Sequence, residues 1–170
     1  MDNCLADRHW KEILMSKTLV IGYGNPLRGD DGLGWRVAER LAERLPADQV
    51  EILTCQQLTP ELAATLSRAS FVLFIDASVQ EPPGTFRLQS VQPAQLTPTT
   101  FSHHLTPGQL LTLSQQLYAA APAAQLLSVG GLEFGAQEQL SASVAALLPH
   151  LLDLCQQVLS TQFHAGATLA

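Results

Sequence analysis

The chain has 170 residues, 46% of them hydrophobic, enough to build a substantial core within one domain. Nine basic against fifteen acidic residues give a net charge of −6 with no Lys/Arg cluster, which argues against nucleic acid and against an anionic membrane surface as partners. No apolar run approaches bilayer-spanning length, the first ten residues are too polar for a secretory signal, and Cys4, Cys55 and Cys155 fit neither a disulfide framework nor zinc-finger spacing, so a cytoplasmic protein is expected.

Residues 1–16 read as an N-terminal extension, and residues 17–23 as a first strand. The strand runs into a loop with glycines at 22, 24, 29, 32 and 34. Val37, Ala38, Leu41, Ala42 and Leu45 then repeat at helical spacing, and Pro46 closes that helix. Val50–Cys55 is a second strand, and Thr59-Pro60 predicts a second helix with Thr59 as N-cap. Phe71–Ile75, apolar throughout, reads as a third strand covered on both faces. Pro82-Pro83-Gly84 predicts a turn and Thr85–Gln89 an edge strand. A long loop is expected from Gln92 to Thr106, followed by a helix from Thr106 to about Tyr118. Ala124–Val129 is a further strand, and a last helix covers 141–159, kinked or divided at Pro149, with a frayed tail over 161–170. The alternation of strands and helices predicts an α/β fold: a single-domain three-layer sandwich, a twisted and mostly parallel sheet with helices on both faces.

Ligands of such sheets sit beyond the carboxyl ends of the strands. Asp30 and Asp31 follow the first strand, Asp76 the third, His103 and His104 the edge strand, and Glu133 a late strand, so all can gather at one rim. The loop is not a dinucleotide fingerprint, because Leu27 occupies a required glycine position and two acids would repel a pyrophosphate. Each candidate also has a structural reading. Acids at a helix start cap free N–H groups, an aspartate at a strand end can bond to the next turn, and loop histidines are commonly solvated. Taken together, carboxylates and an imidazole form an open oxygen/nitrogen metal site suited to nickel, zinc, manganese or iron. No Gly-x-Ser-x-Gly elbow and no H-E-x-x-H motif is present.

Gly22-x-Gly24-Asn25-Pro26-Leu27-x-x-Asp30-Asp31-Gly32-x-Gly34, the strand ending in Asp76-Ala77, and a loop histidine before a helix together resemble the hydrogenase maturation endopeptidases. These proteases process nickel–iron hydrogenase large subunits. The resemblance covers nearly the whole chain and implies an α/β sandwich. It also implies nickel ligation by Asp31, Asp76 and His104, with His103 as the alternative histidine, and a catalytic part for Asp31 and Asp76. Asn25 and Asp30 would shape the loop behind them. One departure stands out: many members carry Asp-Gly-Gly after the second strand, whereas this chain has Gln56-Gln57 and no aspartate there.

The expected function is therefore removal of the C-terminal extension of a hydrogenase large-subunit precursor. The nickel is contributed by that precursor and serves as the recognition element. Two rival readings are an α/β ligand- or nucleotide-binding module without protease activity, and a metallohydrolase carrying its own ion.

Overall fold

The computed structural model of the protein describes residues 17–96 and 105–167. Its elements, in chain order, are β1 (Lys17–Tyr23), a 3-10 turn (Gly29–Gly32), α1 (Leu33–Ala42), β2 (Val50–Cys55), α2 (Leu62–Leu66), β3 (Ala69–Ser78), β4 (Phe86–Val91), α3 (Pro107–Tyr118), β5 (Ala123–Gly130) and α4 (Ala142–Ala167). They form a five-stranded sheet in the order β2-β1-β3-β5-β4, parallel except for β4, which pairs antiparallel with β5 at one edge. Chain order reverses between β1 and β3, the place where open α/β sheets hold their ligands.

The period-2 alternation of strands sends neighbouring side chains to opposite faces, and each face has its own core. Val20, Leu73, Ile75, Leu127 and Val129 pack against α1 and α4 through Leu33, Val37, Leu41, Leu148, Leu151 and Leu152. Leu19, Ile21, Val72 and Phe74 pack against α2 and α3 through Leu66, Leu110 and Leu111. Burial of each such side chain contributes on the order of 1.5–3 kcal/mol, which explains why the inner strands read as unbroken apolar runs.

The first helix sits unusually close to the sheet. A Cβ on Gly34 would lie 2.4 Å from the Ile75 carbonyl oxygen and 2.5 Å from that of Tyr23, so only glycine permits this approach. The contact holds the start of α1, and the loop before it, against the ends of β1 and β3.

Several elements depart from the sequence reading. The second helix begins at Leu62 rather than at Pro60. The Leu62 and Ala63 amides bond to the Thr59 and Pro60 carbonyls as a turn, and Thr59 does not act as the N-cap. β3 runs on to Ser78, because pairing with β5 continues through Asp76↔Ser128 and Ala77↔Val129; Asp76 is thus within the strand, not after it. The first helix ends at Ala42, with a turn reaching Leu45.

The last helix is one continuous element from Ala142 to Ala167, undivided at Pro149, and it includes 161–167 of the expected frayed tail. Pro149 is exposed, as is Ala145, whose carbonyl loses its helical partner, so water can take the missing bond. By length and composition, Ala142–Gln162 meets the criterion for a membrane-crossing helix. Its apolar stripe, however, lies buried in the core through Val144, Leu148, Leu151, Leu152, Cys155 and Leu159, so packing accounts for it.

Candidate functional site

The loop after β1 is folded by its own polar groups. Gly24 has φ +124°, and a Cβ there would lie 2.0 Å from the Asp31 carbonyl oxygen. Asn25 Oδ1 accepts the Leu27 amide at 3.0 Å, closing a side-chain turn, while the Asn25 amide donates to Asp31 Oδ2 at 2.9 Å. The loop role expected of Asn25 is thus visible in its bonds.

Adjacent Asp30 and Asp31 have different surroundings. Asp30 is fully buried, and its carboxylate accepts the amides of Leu132 (2.8 Å), Glu133 (3.0 Å) and Ser141 (2.7 Å) and the Ser141 hydroxyl (2.8 Å). Burial opposes its charge, but the bonds from Glu133, Leu132 and Ser141 outweigh that cost and hold its pKa below the ordinary value. Asp30 therefore clips the loop to the β5–α4 connection. Asp31 caps nothing: Gly32 is the N-cap of α1, with no side-chain bond to the helix. Among the described residues only the Asn25 amide donates to its carboxylate, which lines a cavity.

Asp76 reaches the same space from β3. Gly22 pairs with Ile75, so the next residues, Tyr23 and Asp76, stand side by side, and the Tyr23 hydroxyl donates to the Asp76 carboxylate. Burial, with a contribution from the nearby Asp31 charge, pushes the Asp76 pKa up to about 7; the Tyr23 bond and the Ala77 amide act in the opposite sense. Burial and the Asp76 charge likewise raise the pKa of the Tyr23 phenol.

Asp31, Asp76 and Tyr23 share a cavity of about 400 Å³ at the carboxyl ends of β1 and β3. Gln56 and Gln57 line it where many members of the resembling family have aspartate, and Arg28 is its cation. Leu105, Thr106 and Pro107 close another side, fixed by a capping box in which the Thr106 hydroxyl accepts the Gln109 amide and the Gln109 side chain accepts the Thr106 amide. His103 and His104, which immediately precede these residues in sequence, lie outside the described residues. Among the described residues, no three His, Cys, Asp or Glu side chains form a group that could hold a metal ion. Two carboxylates in one cavity, one titrating near neutrality, supply oxygen ligands for a divalent ion or a base for water.

Glu133 is not part of this set. Its carboxylate accepts Gln137 Nε2 at 2.5 Å, and its carbonyl accepts the Asp30 amide at 2.8 Å, so it serves the scaffold. Sequence reasoning did not single out Tyr23 or Arg28. Strand register between β1 and β3 is the signal that identifies Tyr23.

No protein-family model matches the chain, and no curated protein matches it either. Solved structures do. The hydrogenase maturating endopeptidase HybD from E. coli is 26% identical, with a TM-score of 0.67 over 88% of this chain and 94% of its own. The NiFe hydrogenase maturation protease HycI from Thermococcus kodakarensis KOD1 is 22% identical, with a TM-score of 0.68 over 89% and 99%. A hydrogenase 2 maturation peptidase from Thaumarchaeota archaeon SCGC_AB-539-E09 is 23% identical, with a TM-score of 0.64 over 85% and 98%. Together with the Gly22–Gly34 loop, these likenesses support the family resemblance: the chain has the fold of the hydrogenase maturation endopeptidases.

Proposed function

We propose that this protein removes the C-terminal extension of a nickel–iron hydrogenase large-subunit precursor, with nickel in that precursor as the recognition element. The observation that carries the reading is the pairing of Asp31 and Asp76 in one cavity at the sheet's switch point, neither of them spent on helix capping. The likeness to HybD and HycI supports the endopeptidase activity.

In this reading Asp31, Asp76 and His104 reach the nickel held by the precursor, so a precursor without metal offers no purchase. The metal supplies Lewis acidity toward the scissile carbonyl, and water attacks its carbon. A carboxylate takes the water proton and passes it to the departing amine, while the new carboxyl terminus stays on the large subunit. Burial raises the Asp76 pKa to about 7 in the metal-free protein, and the charge of an arriving divalent ion would favour its carboxylate form. Tyr23 orients its carboxylate through the shared hydrogen bond.

Asp31→Asn keeps the size of the side chain and removes its charge. It is expected to abolish processing of a nickel-loaded precursor while the thermal midpoint stays close to that of the parent protein. Processing at the parental rate would refute the role given to Asp31. Loss of the folded state would return it to the scaffold.

A further inference from the structure

Arg28 has no evident structural task. Its backbone is pinned: the Arg28 amide bonds to the Asn25 carbonyl at 3.0 Å, and residue 28 forms an isolated bridge with Gln137. The flanking Gly29 amide bonds to the Gln137 carbonyl at 2.6 Å, and the Gln137 amide to the Leu27 carbonyl at 3.1 Å. The side chain carried by this rigid segment is exposed, and among the described residues its one hydrogen bond is long, 3.4 Å from Nη2 to the Phe134 carbonyl oxygen. It joins no ion pair among the described residues, although it lines the same cavity as Asp31 and Asp76. A guanidinium offers five N–H donors in a planar fork, so most of them have no partner among the described residues.

In the endopeptidase reading the cavity's two carboxylates face the precursor's metal, so an acidic group of the docking segment beside it needs a cation of its own in a chain of net charge −6. Arg28 is the only cation lining the cavity among its described residues. Leu27 on the same loop and Leu132 on the facing connection are each 58% exposed, and they provide apolar area that a docking chain would cover. That exclusion of water strengthens a charge pair formed next to them.

We infer that Arg28 is a specificity residue: its guanidinium receives a carboxylate of the precursor next to the segment being cut, and so selects which precursors this protein processes. The inference rests on the endopeptidase reading above. A salt-bridged contact made equally in the bound and reacting states raises KM when removed and leaves kcat unchanged.

The test is the rate of processing of nickel-loaded precursor by the parent protein and by Arg28→Met, Arg28→Lys and Arg28→Glu, at low and high salt. Arg28→Met is expected to raise KM about tenfold with kcat unaltered. Arg28→Lys should recover part of the loss, and Arg28→Glu should be worse than Arg28→Met. The KM of the parent should rise with salt more steeply than that of Arg28→Met. Unchanged KM in Arg28→Met, or a fall in kcat at constant KM, would overturn the assignment; the second result would place Arg28 on the reacting carbonyl instead. If the parent protein itself leaves the precursor uncut, the endopeptidase reading fails and this inference falls with it. Failure of the inference alone is recognised by a parent that cuts and variants that cut equally well.

Discussion

Asp30 turns its carboxylate onto three backbone amides and a hydroxyl of the β5–α4 connection, whereas Asp31 accepts one amide among the described residues and lines the cavity. Asp30→Ala would leave buried N–H groups without partners and should cost about 3 kcal/mol or more near pH 7, measured by denaturant unfolding. Because the folded pKa of Asp30 is lowered, its contribution is present above the unfolded carboxylate value and is lost as pH falls through the folded one. The deficit of the variant should therefore shrink in acid. Asp76 has the opposite sign. Its folded pKa is raised to about 7, so its charge destabilises the fold increasingly between the unfolded value and that pH, and fully above it. Asp76→Asn should raise the thermal midpoint of the metal-free protein at pH 8 and change it little at pH 4. An equal shift at both values would contradict the assigned burial. The family resemblance gave Asp30 to the loop and Asp31 and Asp76 to the site, but not the partners that hold Asp30, because hydrogen bonds from residues 132–141 onto it are contacts across more than a hundred positions.

At the scale of elements, the strands were the most legible. Lys17–Tyr23 and Val50–Cys55 emerge with the boundaries their apolar runs indicate, since buried parallel strands carry their signature in composition. Ends set by tertiary pairing were not legible. β3 continues through Asp76 only because β5 lies alongside it, and nothing in Asp76-Ala77-Ser78 announces that partner. Pro149 misled in the other direction, since a proline normally ends or kinks a helix. Here the apolar stripe on both sides of it packs on one continuous core face, and packing overrides the local penalty. Pro149→Ala restores the missing amide at an exposed position and should stabilise the protein by up to about 3 kcal/mol. A loss of stability on urea unfolding would show instead that the proline is built into the helix path.

Across the whole molecule, the doubly wound order β2-β1-β3-β5-β4 explains why residues from distant segments meet. The switch between β1 and β3 opens a cavity, and the glycine-mediated approach of α1 holds the Asp31 loop against it. The reach of Asp31 and Asp76 toward a common point was legible from the rule for strand ends, while Tyr23, Arg28 and the wall of Leu105–Pro107 required the folded chain.

The most direct test is mass spectrometry of a hydrogenase large-subunit precursor before and after incubation with this protein, with nickel-loaded and nickel-free precursor run side by side. The account predicts loss of one defined C-terminal peptide from the nickel-loaded form and an unchanged mass for the nickel-free form. Equal cleavage of both forms would contradict nickel recognition, and an intact nickel-loaded precursor would contradict the protease function itself.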